Sequence, residues 1–216
     1  MKKIATFISI ISHPLLVLTY TLLLMIASNP FAFGVRQMTD KRGILLLISV
    51  FTTSFMIPAL GILLMKPLGL IQSLKMENKQ DRIGPFIICG VFYLWLFQNF
   101  RTGVVPPLFA NFSLAVTIGL FLAFLVNLFA RISLHAVGMG ALALMVLMVA
   151  FSWPGHLLDL GFVQLSLTAV LAFIIIIAGL VGYSRLYLGV HKLPDIWQGY
   201  AIGAFSVLIT GLFMPY

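Results

Sequence analysis

Seven apolar runs separated by short polar joins govern what this chain can become. They cover Ile4–Ala27, Ile44–Met65, Pro85–Phe97, Leu108–Ala130, Ala136–Phe151, Leu165–Tyr183 and Ile196–Met214. A helix needs about 20 mainly apolar residues to cross the hydrocarbon of a bilayer. The third and fifth runs fall short of that, so they are expected to borrow flanking residues or to sit inside a bundle. In lipid every backbone N–H and C=O must be bonded internally, which leaves helices and closed-barrel strands. The runs lack the alternation of barrel strands and therefore read as helices. Pro58, Pro85 and the pair Gly138 and Gly140 are candidate kinks or points of close helix approach.

Composition agrees with lipid as the main solvent. The 216 residues are 62% hydrophobic and 8% charged. A water-soluble domain is nearer half apolar and about a quarter charged. No linker or low-complexity tract divides the chain, and residues 1–216 read as one integral-membrane domain. The single cysteine, Cys89, lies in an apolar run, which excludes a disulfide framework and a cysteine metal site. The net charge of +8 is scattered over helix ends, without a basic stretch interleaved with aromatics. Nucleic acid is therefore not an expected partner. Anionic lipid head groups or a phosphate-bearing substrate are. Lys2-Lys3 before an apolar run imitates a signal peptide, but the run continues through Pro14 to Ile26 without a cleavage site. A retained membrane helix is the expectation.

Polar residues collect at four joins, Asn29–Gly43, Ser73–Arg82, Arg131–His135 and Ser184–Asp195. Two spans separate the second join from the third, and two separate the third from the fourth. An even number of crossings returns a chain to the same membrane face, so these three joins are expected to meet. Together they carry Lys75, Lys79, Arg82, Arg131, Ser133, His135, Ser184, Arg185, His191, Lys192 and Asp195. Ionisable groups near hydrocarbon are costly and mark function. Clustered cations suit phosphate: arginine offers a two-pronged fork and lysine a compact point charge. Two histidines from different joins can divide labour, one attacking phosphorus and the other protonating the leaving oxygen. Asp195 follows His191 by four residues; if the segment is helical the two share a face, and Asp195 can take the Nδ1 proton while Nε2 stays free.

Simpler roles compete for several of these residues. His191 with Asp195, and His135 alone, also suit plain interfacial polar positions. Ser133 suits the N-cap of the next helix. Arg131 and Lys192 suit head-group contacts by snorkelling, and Lys75 and Lys79 suit interfacial anchors. Glu77 and Asp81 suit pairing with neighbouring cations rather than a metal ion. His156 falls on the far face, while His13, before Pro14, lies near the site face inside the first span and is left open.

The three joins resemble the signature segments of the type 2 phosphatidic acid phosphatase (PAP2) family, relatives of the vanadium haloperoxidases. The family's third segment is Ser-Arg, five residues, His, three residues, Asp; Ser184, Arg185, His191 and Asp195 match it in full. The first is Lys, six residues, Arg, Pro; Lys75 and Arg82 keep the spacing, but Ile83-Gly84 precede Pro85, and Lys79 competes for the lysine role. The second is Pro-Ser-Gly-His; in Ile132-Ser133-Leu134-His135 only the serine and histidine remain. The motif-bearing core is about residues 71–214, and the first two helices carry no signature.

The resemblance implies an all-α transmembrane bundle of six to seven helices with a haloperoxidase-like core. It implies metal-independent hydrolysis of a lipid phosphate or diphosphate, such as phosphatidic acid, phosphatidylglycerophosphate or a polyprenyl diphosphate. In that scheme His191 attacks phosphorus and forms a phosphohistidine. Asp195 orients it, and His135 protonates the leaving group and then activates water. Lys75, Arg82 and Arg185 hold the phosphoryl oxygens, helped by Ser133 and Ser184, and no cofactor or metal is required. The alternative is a non-catalytic lipid-phosphate binder or transporter on the same scaffold. The implied address is a bacterial cytoplasmic membrane. Counted without the proposed catalytic cations, the site face keeps Lys2, Lys3, Lys66, Lys79, Arg131 and Lys192 against Arg36, Lys41, Arg42 and Arg101 opposite. That bias favours a cytoplasmic site, whereas the family resemblance favours an outward one, so the sequence leaves the side open.

Overall fold

The computed structural model describes residues 2–74, 76, 78 and 80–214. Among them, seven helical spans are long and apolar enough to cross a membrane. The first is broken into α1 (Lys2–Ile11) and α2 (Val17–Ser28), and the second into α3 (Lys41–Phe51) and α4 (Ile57–Met65). The rest are α5 (Ile83–Phe100), α6 (Pro107–Phe129), α7 (Leu134–Ser152), α8 (Leu167–Tyr187) and α9 (Leu193–Phe213). A small antiparallel hairpin, β1 (Leu157–Asp159) and β2 (Gln164–Ser166), joins α7 to α8. The protein is an all-α integral membrane bundle. The third span reaches crossing length by recruiting flanking residues at both ends, including a 3-10 turn, Gln80–Arg82, at its start, and the fifth by adding Leu134, His135 and Ser152. Exposed side chains such as Phe7, Trp95, Leu125, Phe173 and Leu208 keep the outside of the bundle apolar.

Both broken spans break at proline, although the sequence reads the first as one continuous helix. Proline has no N–H and its ring collides with the carbonyl of residue i−4. At Pro14 the chain leaves the helix at His13 (φ −59°, ψ 131°) and restarts through a 3-10 turn, Pro14–Leu16. Before Pro58 the helix instead widens into a π turn, Thr52–Met56, with Ile57 N–H reaching back to the Thr52 carbonyl. Such π turns are uncommon and recur near functional sites.

The centre of the bundle is α7, which packs on α9, α8, α6 and α2. Against α9 it makes contact backbone to backbone. A Cβ added to Gly199 would lie 2.8 Å from the Ser133 carbonyl oxygen. One on Gly203 would run into the Val137 carbonyl, and one on Gly140 into the Tyr200 carbonyl. The Gly199-xxx-Gly203 stripe is the small-residue pattern that lets membrane helices close up. Its consequence is local: the Ser133 N–H donates to the Asp195 carbonyl at 3.3 Å, tying the start of α7 to the start of α9. The joins before α5, α7 and α9 thus meet at one end of the bundle, where Met76, Ile132 and Val190 line a common cavity.

Gly203→Ala is therefore expected to cost about 1–3 kcal/mol through overpacking, read as a lower thermal midpoint in detergent. Gly179→Ala, on α8 with nothing within 4 Å of the added methyl, is expected to leave the midpoint unchanged.

Candidate active site

The α8–α9 join is built by its capping chemistry. α8 ends at Tyr187, and Gly189 turns the chain with a positive φ of 66° that side chains disfavour. Lys192 is the N-cap of α9 and Pro194 stands in its first turn, where a missing N–H is harmless. Asp195 lies one step further in and sends its carboxylate back: Oδ2 accepts the Lys192 N–H at 3.0 Å. The same oxygen sits 3.4 Å from His191 Nδ1, with side-chain exposures of 5% for His191 and 15% for Asp195. That contact lacks the alignment of a hydrogen bond, and Nδ1 has no other partner.

Burial pulls the His191 pKa down from 6.5 to about 4, and the neighbouring Arg185 cation pushes the same way; Asp195 opposes both. At neutral pH the ring is uncharged. With its N–H directed at Asp195, the lone pair rests on Nε2, which has no partner among the described residues.

His135 enters from the first turn of α7, whose N-cap is Ser133. Its Nε2 lies 3.0 Å from the backbone carbonyl of Ser9, in α1. A carbonyl only accepts, so Nε2 carries the proton and Nδ1 the lone pair. Ser9 is available because the break at Pro14 frees the last carbonyls of α1. Its hydroxyl also accepts from Arg185 Nη1 at 2.7 Å. Arg185 Nε is buried without a partner. Arg82, at the start of the third span, donates from Nε to the Met76 carbonyl at 2.9 Å and from Nη1 to Asn127 Oδ1 at 3.2 Å.

Arg82, His135, Arg185 and His191 line one cavity of about 270 Å³. Beyond this polar mouth the walls turn apolar, with Phe86, Cys89 and Tyr93 on α5 facing Val116 and Leu120 on α6 and Ala141 on α7. At 1.5 Å per residue, the eleven steps from Arg82 to Tyr93 put the floor about 16 Å into the bundle.

The structure does not bring every expected residue to this mouth. Ser133 is fully buried and its hydroxyl accepts the Ala136 N–H at 3.4 Å, capping α7. The Ser184 hydroxyl, 1% exposed, donates to the Val181 carbonyl at 2.7 Å in its own helix. Both serines thus serve backbone groups, and neither lines the cavity. Lys75 and Lys79 lie outside the described residues. Arg131 and Lys192 are exposed at the surface, where head groups would meet them. Three residues of the site were not read from the sequence. Ser9 and Asn127 gave no signal beyond being polar within apolar helices, and His13, left open, also lines the cavity.

Comparison with protein-family models, curated proteins and solved structures found no match. The His191 ring should titrate near pH 4 in a nitrogen-15 NMR experiment. In Asp195→Asn the midpoint should fall further, because the carboxylate is what favours the protonated ring.

Proposed function

We propose that the chain is a membrane phosphatase of the PAP2 type, hydrolysing a lipid phosphate or diphosphate through a phosphohistidine. One observation carries this reading: two imidazoles from different joins, each with one nitrogen engaged and one free, share a cavity mouth with two arginines. In the first step the His191 Nε2 lone pair forms a bond to phosphorus as the bond to the leaving oxygen breaks. The phosphoryl group brings its own proton, which His135 Nδ1 takes up on binding and then gives to the leaving oxygen. In the second step water attacks phosphorus, His135 Nδ1 takes its proton, and the P–N bond breaks to return the lone pair to Nε2. Throughout, the His135 Nε2–H stays on the Ser9 carbonyl, which holds the ring. Arg82 and Arg185 bear the charge that develops on the phosphoryl oxygens. The apolar shaft behind the mouth suits the first part of a hydrocarbon tail, with the phosphate at the interface.

Leu134, which stands where the family has glycine and lines the cavity, favours a second reading: binding of a lipid phosphate without turnover. Purified protein given short-chain phosphatidic acid or a polyprenyl diphosphate, with chelator present, separates the two. Catalysis predicts phosphate release that falls by a factor on the order of 10⁴ or more in His191→Ala. His135→Ala is expected either to accumulate an acid-labile phosphoenzyme or to slow its formation. Tight binding with no release selects the binder. The acid limb of the rate profile should rise through about pH 4, as His191 loses its proton and becomes nucleophilic.

A further inference from the structure

The break in the first span places a third imidazole at the cavity mouth. His13 caps the 3-10 turn Pro14–Leu16: its Nδ1 accepts the Leu15 N–H at 3.4 Å. That nitrogen therefore holds the lone pair, and the proton of the neutral ring sits on Nε2. No described residue accepts from Nε2, and the ring lines the cavity. The neighbours hold it in place. Its centroid is 5.8 Å from that of His135, edge to face, and 6.0 Å from that of Phe55, which the π turn of the second span presents. Pro14, next along, fixes the backbone and packs under Gly138 of α7, whose added Cβ would come within 3.6 Å of the Pro14 Cα.

The three rings thus offer the cavity three different faces. His191 presents a lone pair at Nε2, His135 a lone pair at Nδ1, and His13 an N–H. We propose that His13 is a phosphate-contacting residue, donating its Nε2–H to a non-bridging oxygen of the bound phosphoryl group. This rests on the reading of the cavity as a phosphate site. The chemistry favours such a donor. Arg82 and Arg185 already crowd two fixed cations into the mouth, and a neutral imidazole adds a directed hydrogen bond without a third positive charge. A neutral imidazole donor beside developing negative charge is an established catalytic device. The first span, which already supplies Ser9, thereby also supplies a direct contact to the phosphoryl group.

His13→Asn isolates the proposed role from the structural one. Asparagine is a strong N-cap, so its side chain can keep the Leu15 N–H satisfied, but it is too short to carry the distal donor. The expected result is an unchanged thermal midpoint with kcat lower by about 10²-fold, the usual effect of losing one donor to a developing oxyanion. A kcat equal to that of the unchanged protein would overturn the proposal. Should the variant misfold, the unchanged protein supplies the answer through histidine carbethoxylation read by mass spectrometry. Inorganic phosphate at ten times its dissociation constant should slow modification of both His13 and His191 by about tenfold. Protection of His191 with none at His13 refutes the role of His13 and leaves the phosphatase reading standing. Protection of both without any phosphate release supports His13 in a binding site and refutes turnover. Protection of neither overturns both.

Discussion

Backbone contact between α7 and α9 is the constraint on which the site depends. Side chains separate most packed helices, and their rotamers let the spacing adjust. Here glycines at 140, 199 and 203 remove that cushion, and carbonyl oxygens of one helix face the Cα atoms of the other. The two helix starts are then bonded directly, Ser133 N–H to Asp195 carbonyl. His135 lies two residues beyond one end of that bond, and His191 four residues before the other. Their approach is thus fixed by main-chain geometry. Both helices also aim their positive ends at the same region, which favours an anion there.

Around this fixed pair each ring turns one nitrogen to a group of a different kind. Asp195 faces His191, the Ser9 carbonyl holds His135, and the Leu15 N–H holds His13. Two of these three partners come from the first span, which the family signatures do not reach. The arginines are positioned in the same distributed way: Arg82 by Met76 and Asn127, Arg185 by Ser9. Polar groups buried at these depths need partners; the bundle supplies several from segments distant along the chain, while Arg185 Nε and His191 Nδ1 have none.

This distribution explains what the sequence could and could not reveal. The seven spans were legible because lipid leaves a helix little compositional freedom. The convergence of three joins was legible because crossing parity is a counting argument. The spacing from Ser184 to Asp195 identified Arg185, His191 and Asp195 as neighbours; His191 lies just outside α9, and the capping box, rather than a helical turn, carries the Asp195 carboxylate back to it. The serines misled because a hydroxyl has local carbonyls and N–H groups within reach, and the sequence does not say which acceptor or donor wins. At Ser133 and Ser184 the backbone won. Ser9 was out of reach in principle. Its partners stand 126 and 176 residues away, and nothing in the local pattern KKIATFISII marks one serine as an acceptor for both. Pro14 was the missed clue. A proline in an apolar run is tolerated in membranes, but it always leaves carbonyls seeking donors.

Ser9 occupies both faces of its own role at once, its carbonyl on an imidazole and its hydroxyl on a guanidinium. An anion arriving at Arg185 finds Nη1 already donating to that hydroxyl and Nε without a partner. A visitor that takes up Nε leaves the serine contact in place, whereas one that claims both nitrogens exchanges a neutral hydroxyl for a charged oxygen. For the second kind the net affinity is the difference between two occupancies: a weakly charged visitor gains almost nothing over the serine, whereas a doubly charged phosphate gains a great deal.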